Sequence, residues 1–174
     1  MNTIHPTAIV YDNVILGDNI YIGPYCVIGG PPEHPDYSPD PSKSQCGGVQ
    51  IMDNCVFHKH VTVDAAIKGF TIIKDNCEFM AHSHVGHDSI IEENTRVACG
   101  AKIGGHSLIG QHCNIGLNAT IHQRSFVPRG TMLGAGSFFK HTSALPMFKI
   151  WVGSPAKPIK MNFIKMQQLG IDEG

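Results

Sequence analysis

The sequence predicts a parallel β-solenoid, and three observations carry the prediction. Aliphatic or aromatic residues recur at every sixth position from 73 to 139 without a break: Ile73, Phe79, Val85, Ile91, Val97, Ile103, Ile109, Ile115, Ile121, Val127, Leu133 and Phe139. Four positions after each anchor as far as Leu133 stands a small residue, such as Ser83, Ser89, Thr95, Ala101, Ser107, Cys113 or Ala119. No stretch before the C-terminus has the 3.6-residue spacing of a long amphipathic helix. Each hexad then makes one short strand and one turn, and three hexads close a coil of about 18 residues whose faces are buried only by stacking.

The elements follow in order. Ile4, Val10, Leu16, Ile22 and Ile28 start the same beat. Residues 31–48, "PPEHPDYSPDPSKSQCGG", hold five prolines and leave the coil as a protruding loop. Ile51, Phe57 and Val63 resume the beat, which slips near Lys68-Gly69-Phe70 before Ile73 begins the long run. Gly often follows the anchor, and Asn or Gly often stands three after it, where left-handed backbone angles cost those residues little. From "PAKPIKMNFIKMQQLGIDEG" a short helix is expected over about 161–169. The expected division is a β-helix over 1–154, with its loop insertion, and a short helical cap over 155–174.

Composition narrows the function. The 174 residues suffice for one domain, and 42% hydrophobic against 16% charged residues argues for a packed core. A formal net charge of -1, with no block of Lys and Arg, argues against nucleic acid as a partner. No secretion signal precedes Val10, and no apolar run approaches the roughly 20 residues of a membrane span. The six cysteines include no Cys-x-x-Cys pair. Cys26, Cys55, Cys77 and Cys113 share the small-residue phase, where a reduced thiol acts as a small apolar group. A cytoplasmic protein is expected.

The histidines carry the chemistry. "AHSHVGHDS", residues 81–89, gathers His82, His84, His87 and Asp88. On an 18-residue coil, His87, His106 and His122 come to one edge. His87 has the strongest credentials as a general base, because Asp88 follows it and a nearby carboxylate fixes an imidazole tautomer and raises its basicity. Gly86 and Gly105 leave room for a ligand, and a free backbone N–H there can stabilise an oxyanion in acyl transfer. No Ser or Cys stands out as a nucleophile, which favours direct attack by the acceptor.

Hexapeptide repeats of this kind resemble the left-handed parallel β-helix, and the handedness rests on that resemblance. More specifically, "IHPTAIV", "IGPYCVIGGPPE", "AHSHVGHDSII", "IGGHSLIG", "TIHQ" and "NFIKMQQLG" resemble, in order, segments of the UDP-N-acetylglucosamine acyltransferases of lipid A biosynthesis. The resemblance implies His87 as general base beside Asp88, with Gly105 supplying the oxyanion N–H. It implies that His84, His106, His122 and Gln123 contact the sugar nucleotide or acyl donor. It also implies a homotrimer with its sites between subunits, no permanently bound cofactor and no metal, and an acyl carrier protein or CoA thioester as co-substrate.

The sequence departs from that family in places. Asp64, Ala65 and Ala66 replace a His-Arg-Gly stretch, and Gln168 and Leu169 stand where the family has paired arginines. "VGSPAKPIK", residues 152–160, is closer to the coil-end motif of acetyl-CoA-dependent hexapeptide enzymes, where Lys157 would meet the cofactor's phosphates. Two other readings stand beside acyl transfer. One is a zinc-dependent γ-class carbonic anhydrase, whose close histidine pair is spaced like His82 and His87; the other is a scaffold without catalysis.

Overall fold

A computed structural model describes residues 1–141 and 145–171, so the last three positions of the expected cap, 172–174, lie outside the described residues. Short strands alternate with tight turns and wind into a three-sided left-handed parallel β-helix. Its faces carry nine, seven and six strands. Along most of the helix, pairing links residues 18 apart, as in Glu78 with Arg96, His84 with Lys102 and Ile90 with Leu108.

The hexad pattern builds this directly. In a two-residue strand one side chain points inward, and the anchor takes that position. All twelve anchors from Ile73 to Phe139 are at most 1% exposed, each worth about 1.5–3 kcal/mol of burial. The small residues fill the interior of the corners, where several hydroxyls and thiols bond to backbone carbonyls. Thr95 Oγ1 donates to the Gly110 carbonyl at 3.1 Å, and Cys113 Sγ to that of Pro128 at 3.1 Å. Burial pushes the Cys113 thiol up to about 12, and all six cysteines are free. The turn position three after the anchor is left-handed, held by Asn54, Asn76, Asn94 and Asn118 but also by His60, His82, Asp88, His106 and His112.

The N-terminal coil differs from its sequence pattern. Ile4 is 43% exposed, because its strand is the outermost of the nine-stranded face and pairs on one side only, with Tyr21–Ile22. The slip near residue 69 is an enlarged coil: Gly48 pairs with Phe70 and Ile51 with Ile73, 22 positions on. The extra residues form the segment after Asp64, and the base of the 31–48 loop pins it. The Ala65 amide donates to the Gly30 carbonyl at 2.8 Å, Ala66 to Gly48 at 3.1 Å, and Gly47 to Ala66 at 2.8 Å.

At the C-terminal end, "VGSPAKPIK" turns the chain back on itself. Strand Lys149–Gly153 completes the parallel stack against Met132–Leu133, and strand Ala156–Met161 returns antiparallel to it. Trp151 is buried with its ring 5.3 Å from that of Phe139. The expected helix is six residues, Phe163–Gln168. Asn162 caps it, accepting from the Lys165 amide at 3.4 Å and donating to the Gly130 carbonyl at 2.9 Å. No helix among the described residues is long and apolar enough to cross a membrane.

Candidate active site

The corner after strand His84–Val85 collects the reactive groups. Because coils repeat every 18 residues there, His87 stands over Gly105 and Gln123, and Asp88 over His106 and Arg124. The backbone confirms this register: the His106 amide donates to the His87 carbonyl at 2.8 Å, and the Arg124 amide to the Gly105 carbonyl at 2.9 Å. Asp88 and His106 both adopt the left-handed turn conformation, with φ of 58°, which Asp and His tolerate better than most residues.

His87 is 9% exposed, and its Nδ1 lies 2.8 Å from Asp88 Oδ2. The carboxylate is itself held. Its Oδ2 accepts from the Ile67 amide at 3.0 Å, and the Asp88 amide donates to Thr71 Oγ1 at 2.9 Å. Burial opposes the Asp88 charge, yet the Ile67 amide, His87 and nearby His106 together keep its carboxyl below the usual carboxylate range. Asp88 is therefore an ionised acceptor at neutral pH and places the imidazole proton on Nδ1, leaving the Nε2 lone pair free. Gly105 lies directly against that ring: a Cβ there would stand 2.8 Å from His87 Nε2. Among the described residues the Gly105 N–H donates no hydrogen bond.

The other expected site residues divide into near and far. His106 packs edge-on against His87, with ring centroids 5.0 Å apart, and its Nε2 is 4.0 Å from Asp88 Oδ2. Burial first, then Arg124, His87 and His34, lower its basicity against the pull of Asp88. His84 bonds through Nδ1 to Thr62 Oγ1 at 2.8 Å, with Nε2 3.8 Å from Asp64 Oδ2. His122 lies on the coil beyond His106, its Nδ1 2.9 Å from the Gln123 carbonyl and its ring against Phe138. The Gln123 backbone abuts Gly104. Lys157 is exposed on the edge strand of the nine-stranded face, paired with Val152, and is not brought to the dyad within one chain.

His82, the zinc partner in the carbonic anhydrase reading, stands at the preceding corner with its ring stacked on His60 at 4.7 Å. Among the described residues the metal-ligand atoms that converge are those of His87, Asp88 and His106, and the Asp88 oxygen is already occupied by His87 Nδ1 and the Ile67 amide.

Sequence reasoning missed several contributors: His34, whose ring centroid is 6.0 Å from that of His87, and Thr62, Asp64, Ile67 and Thr71. Asp64 left a trace as a carboxylate at the third residue of a strand, opposite the His84 coil; the others reach the site through the loop and the enlarged coil, whose paths spacing does not encode. The dyad is largely covered, with the rings of His34 and His106 both against His87. Neither the groove of about 480 Å³ near Tyr21, His58 and Cys99 nor the cleft of about 700 Å³ beneath the C-terminal helix includes it.

Comparison with known proteins bears on the fold and the family. Residues 70–105 match the model for "Bacterial transferase hexapeptide (six repeats)". The acyl-[acyl-carrier-protein]–UDP-N-acetylglucosamine O-acyltransferase of Bartonella henselae is 33% identical over 97% of this chain and 73% of its own length. The chain belongs to the UDP-N-acetylglucosamine O-acyltransferase family. Its namesake in Brucella ovis is 29% identical over 49% of this chain and 43% of the relative. Among solved structures, the family's enzyme from Bacteroides fragilis 9343 superposes with a TM-score of 0.79 at 25% identity, covering 98% of this chain and 65% of that one. The Moraxella catarrhalis enzyme gives 0.77 at 22%, covering 98% and 79%, a likeness of fold. The protein is an acyltransferase of this family, and the His87 corner is its candidate catalytic centre.

Proposed function

We propose that the protein transfers an acyl group from an acyl carrier protein thioester to the sugar hydroxyl of UDP-N-acetylglucosamine, opening lipid A biosynthesis, with His87 as general base. The observation that carries the reading is the His87–Asp88 bond at 2.8 Å, with Gly105 packed against the face of the same ring. Asp88 fixes the tautomer, so Nε2 takes the acceptor proton as the sugar oxygen attacks the thioester carbonyl. The resulting oxyanion is stabilised by the Gly105 N–H, which has no other partner among the described residues. On collapse the C–S bond breaks, and the imidazolium returns its proton to the departing sulfur, giving an ester and a free thiol. A positioned base of this kind contributes roughly 10²–10⁴-fold. His84, His106, His122 and Gln123 line the approach as substrate contacts. Lys157 serves the phosphates of the carrier arm or of CoA, from a neighbouring subunit.

The relatives' names favour the carrier-protein thioester over CoA and the UDP-sugar as acceptor. We infer a homotrimer, because Lys157 stands on the exposed edge strand, away from the dyad of its own chain, and a second subunit would bring it there. A cytoplasmic setting fits six unpaired cysteines. The test incubates purified protein with long-chain acyl carrier protein or acetyl-CoA and UDP-N-acetylglucosamine, and follows the nucleotide sugar by mass spectrometry. An acylated product that requires the carrier-protein thioester is expected. Absence of product with both donors would overturn the reading. Light scattering should give three times the mass of one chain at micromolar concentration.

A further inference from the structure

Asp64 sits just outside the dyad and has no part in the mechanism above. It ends strand Thr62–Asp64, which pairs in register with the strand of His84, Thr62 opposite His84 and Val63 opposite Val85. The residue is 9% exposed. Its Oδ2 and His84 Nε2 face each other at 3.8 Å, too far for a direct hydrogen bond and close enough for both to reach one atom placed between them. The other imidazole nitrogen of His84 is committed to Thr62 Oγ1 at 2.8 Å. The result is a fork whose two inner atoms lack a mutual bond. A hydroxyl oxygen fits it when one of the two inner atoms carries a proton and the other accepts, since a hydroxyl donates and accepts at once.

The fork is also tied to the dyad. Asp64 begins the short segment whose Ile67 amide donates to Asp88 at 3.0 Å, and the loop base holds that segment from Gly30, Gly47 and Gly48. One backbone stretch thus sets Asp64 against His84 at one end and the Ile67 amide against Asp88 at the other. We infer that Asp64 and His84 together hold one ring hydroxyl of the acceptor sugar, one other than the hydroxyl that is acylated, and that Asp64 is a specificity-determining residue. This rests on the acyl-transfer reading of the same site. A carboxyl in this place is costly when nothing occupies the fork, because burial first and the charge of Glu33 second push it up to about 7. A polar partner from the substrate offsets that cost. The charged and titratable groups around the fork are Glu33 from the loop, His84 and His87 from the adjoining coil, and Lys102 on the next strand.

The experiment measures kcat and KM with UDP-N-acetylglucosamine and with its 4-deoxy and 6-deoxy analogues, in the wild type and in Asp64→Ala and Asp64→Asn. Losing a hydrogen bond to a charged group should raise the acceptor KM of Asp64→Ala about 10- to 100-fold with kcat within about threefold. The wild type should discriminate against one deoxy analogue, and Asp64→Ala should lose that discrimination. Asp64→Asn keeps the shape without the titration, and its acceptor KM should no longer vary between pH 6 and 8 as the wild type's does. If a water fills the fork instead, Asp64→Ala will keep its acceptor KM and its discrimination, which overturns the inference. Identical pH dependence of KM in the wild type and Asp64→Asn overturns it too, even if Asp64→Ala does not fold. Failure of the wild type to acylate any nucleotide sugar would remove the acyl-transfer reading and this subsite together, whereas wild-type turnover with unaltered variants removes the subsite alone.

Discussion

The imidazole of His87 rests on the α-carbon of Gly105, with room for no further atom: a Cβ at that position would lie 2.8 Å from Nε2 and 2.9 Å from Cε1. Gly105→Ala should therefore push the ring off Asp88 while leaving the backbone unstrained. Turnover should drop about a hundredfold or more, with the urea midpoint nearly unchanged. Comparison of kcat with the unfolding midpoint in the same preparation checks this.

His87→Ala should lose at least about a hundredfold in turnover with the coil intact by circular dichroism. His84→Ala and His122→Ala should act more on acceptor KM. Near-normal turnover of His87→Ala with carrier-protein thioester and UDP-sugar would remove His87 from the role of base.

Asp88 titrates below the usual carboxylate range in the folded state, against its burial, because of the Ile67 amide, His87 and His106. Such a group adds stability that is present above the unfolded carboxyl value, about 3.9, and is lost as pH falls through the lower folded value. Between pH 6 and 3 the wild type should therefore lose more stability than Asp88→Asn. At neutral pH the same variant should lower turnover about tenfold or more, because the amide can present its NH₂ group to Nδ1 and favour the wrong tautomer. Urea titrations at several pH values, with kinetics at pH 7.5, test both statements.

Asp64 has the opposite sign. Its folded carboxyl is raised to about 7, so stability present below about pH 4 is lost as pH rises through that value. Asp64→Asn should stabilise the protein at pH 8 by on the order of 4 kcal/mol relative to its effect at pH 4. Denaturation midpoints at the two pH values measure the difference, and an equal effect at both would contradict the raised value.

In the middle of the stack, Ile109 is fully buried beneath Ile91 and above Val127 in one register. Ile109→Ala should cost about 2–5 kcal/mol. Because each coil touches only its neighbours, the loss should be accompanied by faster amide exchange in the adjoining coils before the ends of the helix.

The coil was legible because a two-residue strand admits only one inward side chain, so twelve anchors from Ile73 to Phe139 record twelve strands. The corner that carries His87, Asp88 and His106 was legible for a related reason. A fixed 18-residue repeat converts the spacing from Asp88 to His106, and from His87 to Gly105, into vertical neighbours. What did not show was anything carried by departures from the repeat. His34 reaches His87 from the proline-rich loop, and the Ile67 amide reaches Asp88 from the enlarged coil. His82 and His84 sit in the same short motif as His87, yet pleat and turn send them to a different corner and a different face. The C-terminal hairpin was missed because Pro155 and Pro158 obscure the pattern of strand Ala156–Met161.

That hairpin bears on solubility. A stack of parallel strands exposes at its last coil a row of unmet amides and carbonyls, an invitation for another molecule to add on end to end. On the nine-stranded face the final strand runs the opposite way, contains a proline that has no amide hydrogen, and carries Lys157 and Lys160 exposed along its border. Chain reversal, a missing donor and like positive charges together make this border a poor template for fibre growth. Replacing Pro158, Lys157 and Lys160 with threonine should therefore convert a well-behaved particle into one that elongates with time, whatever becomes of its catalysis.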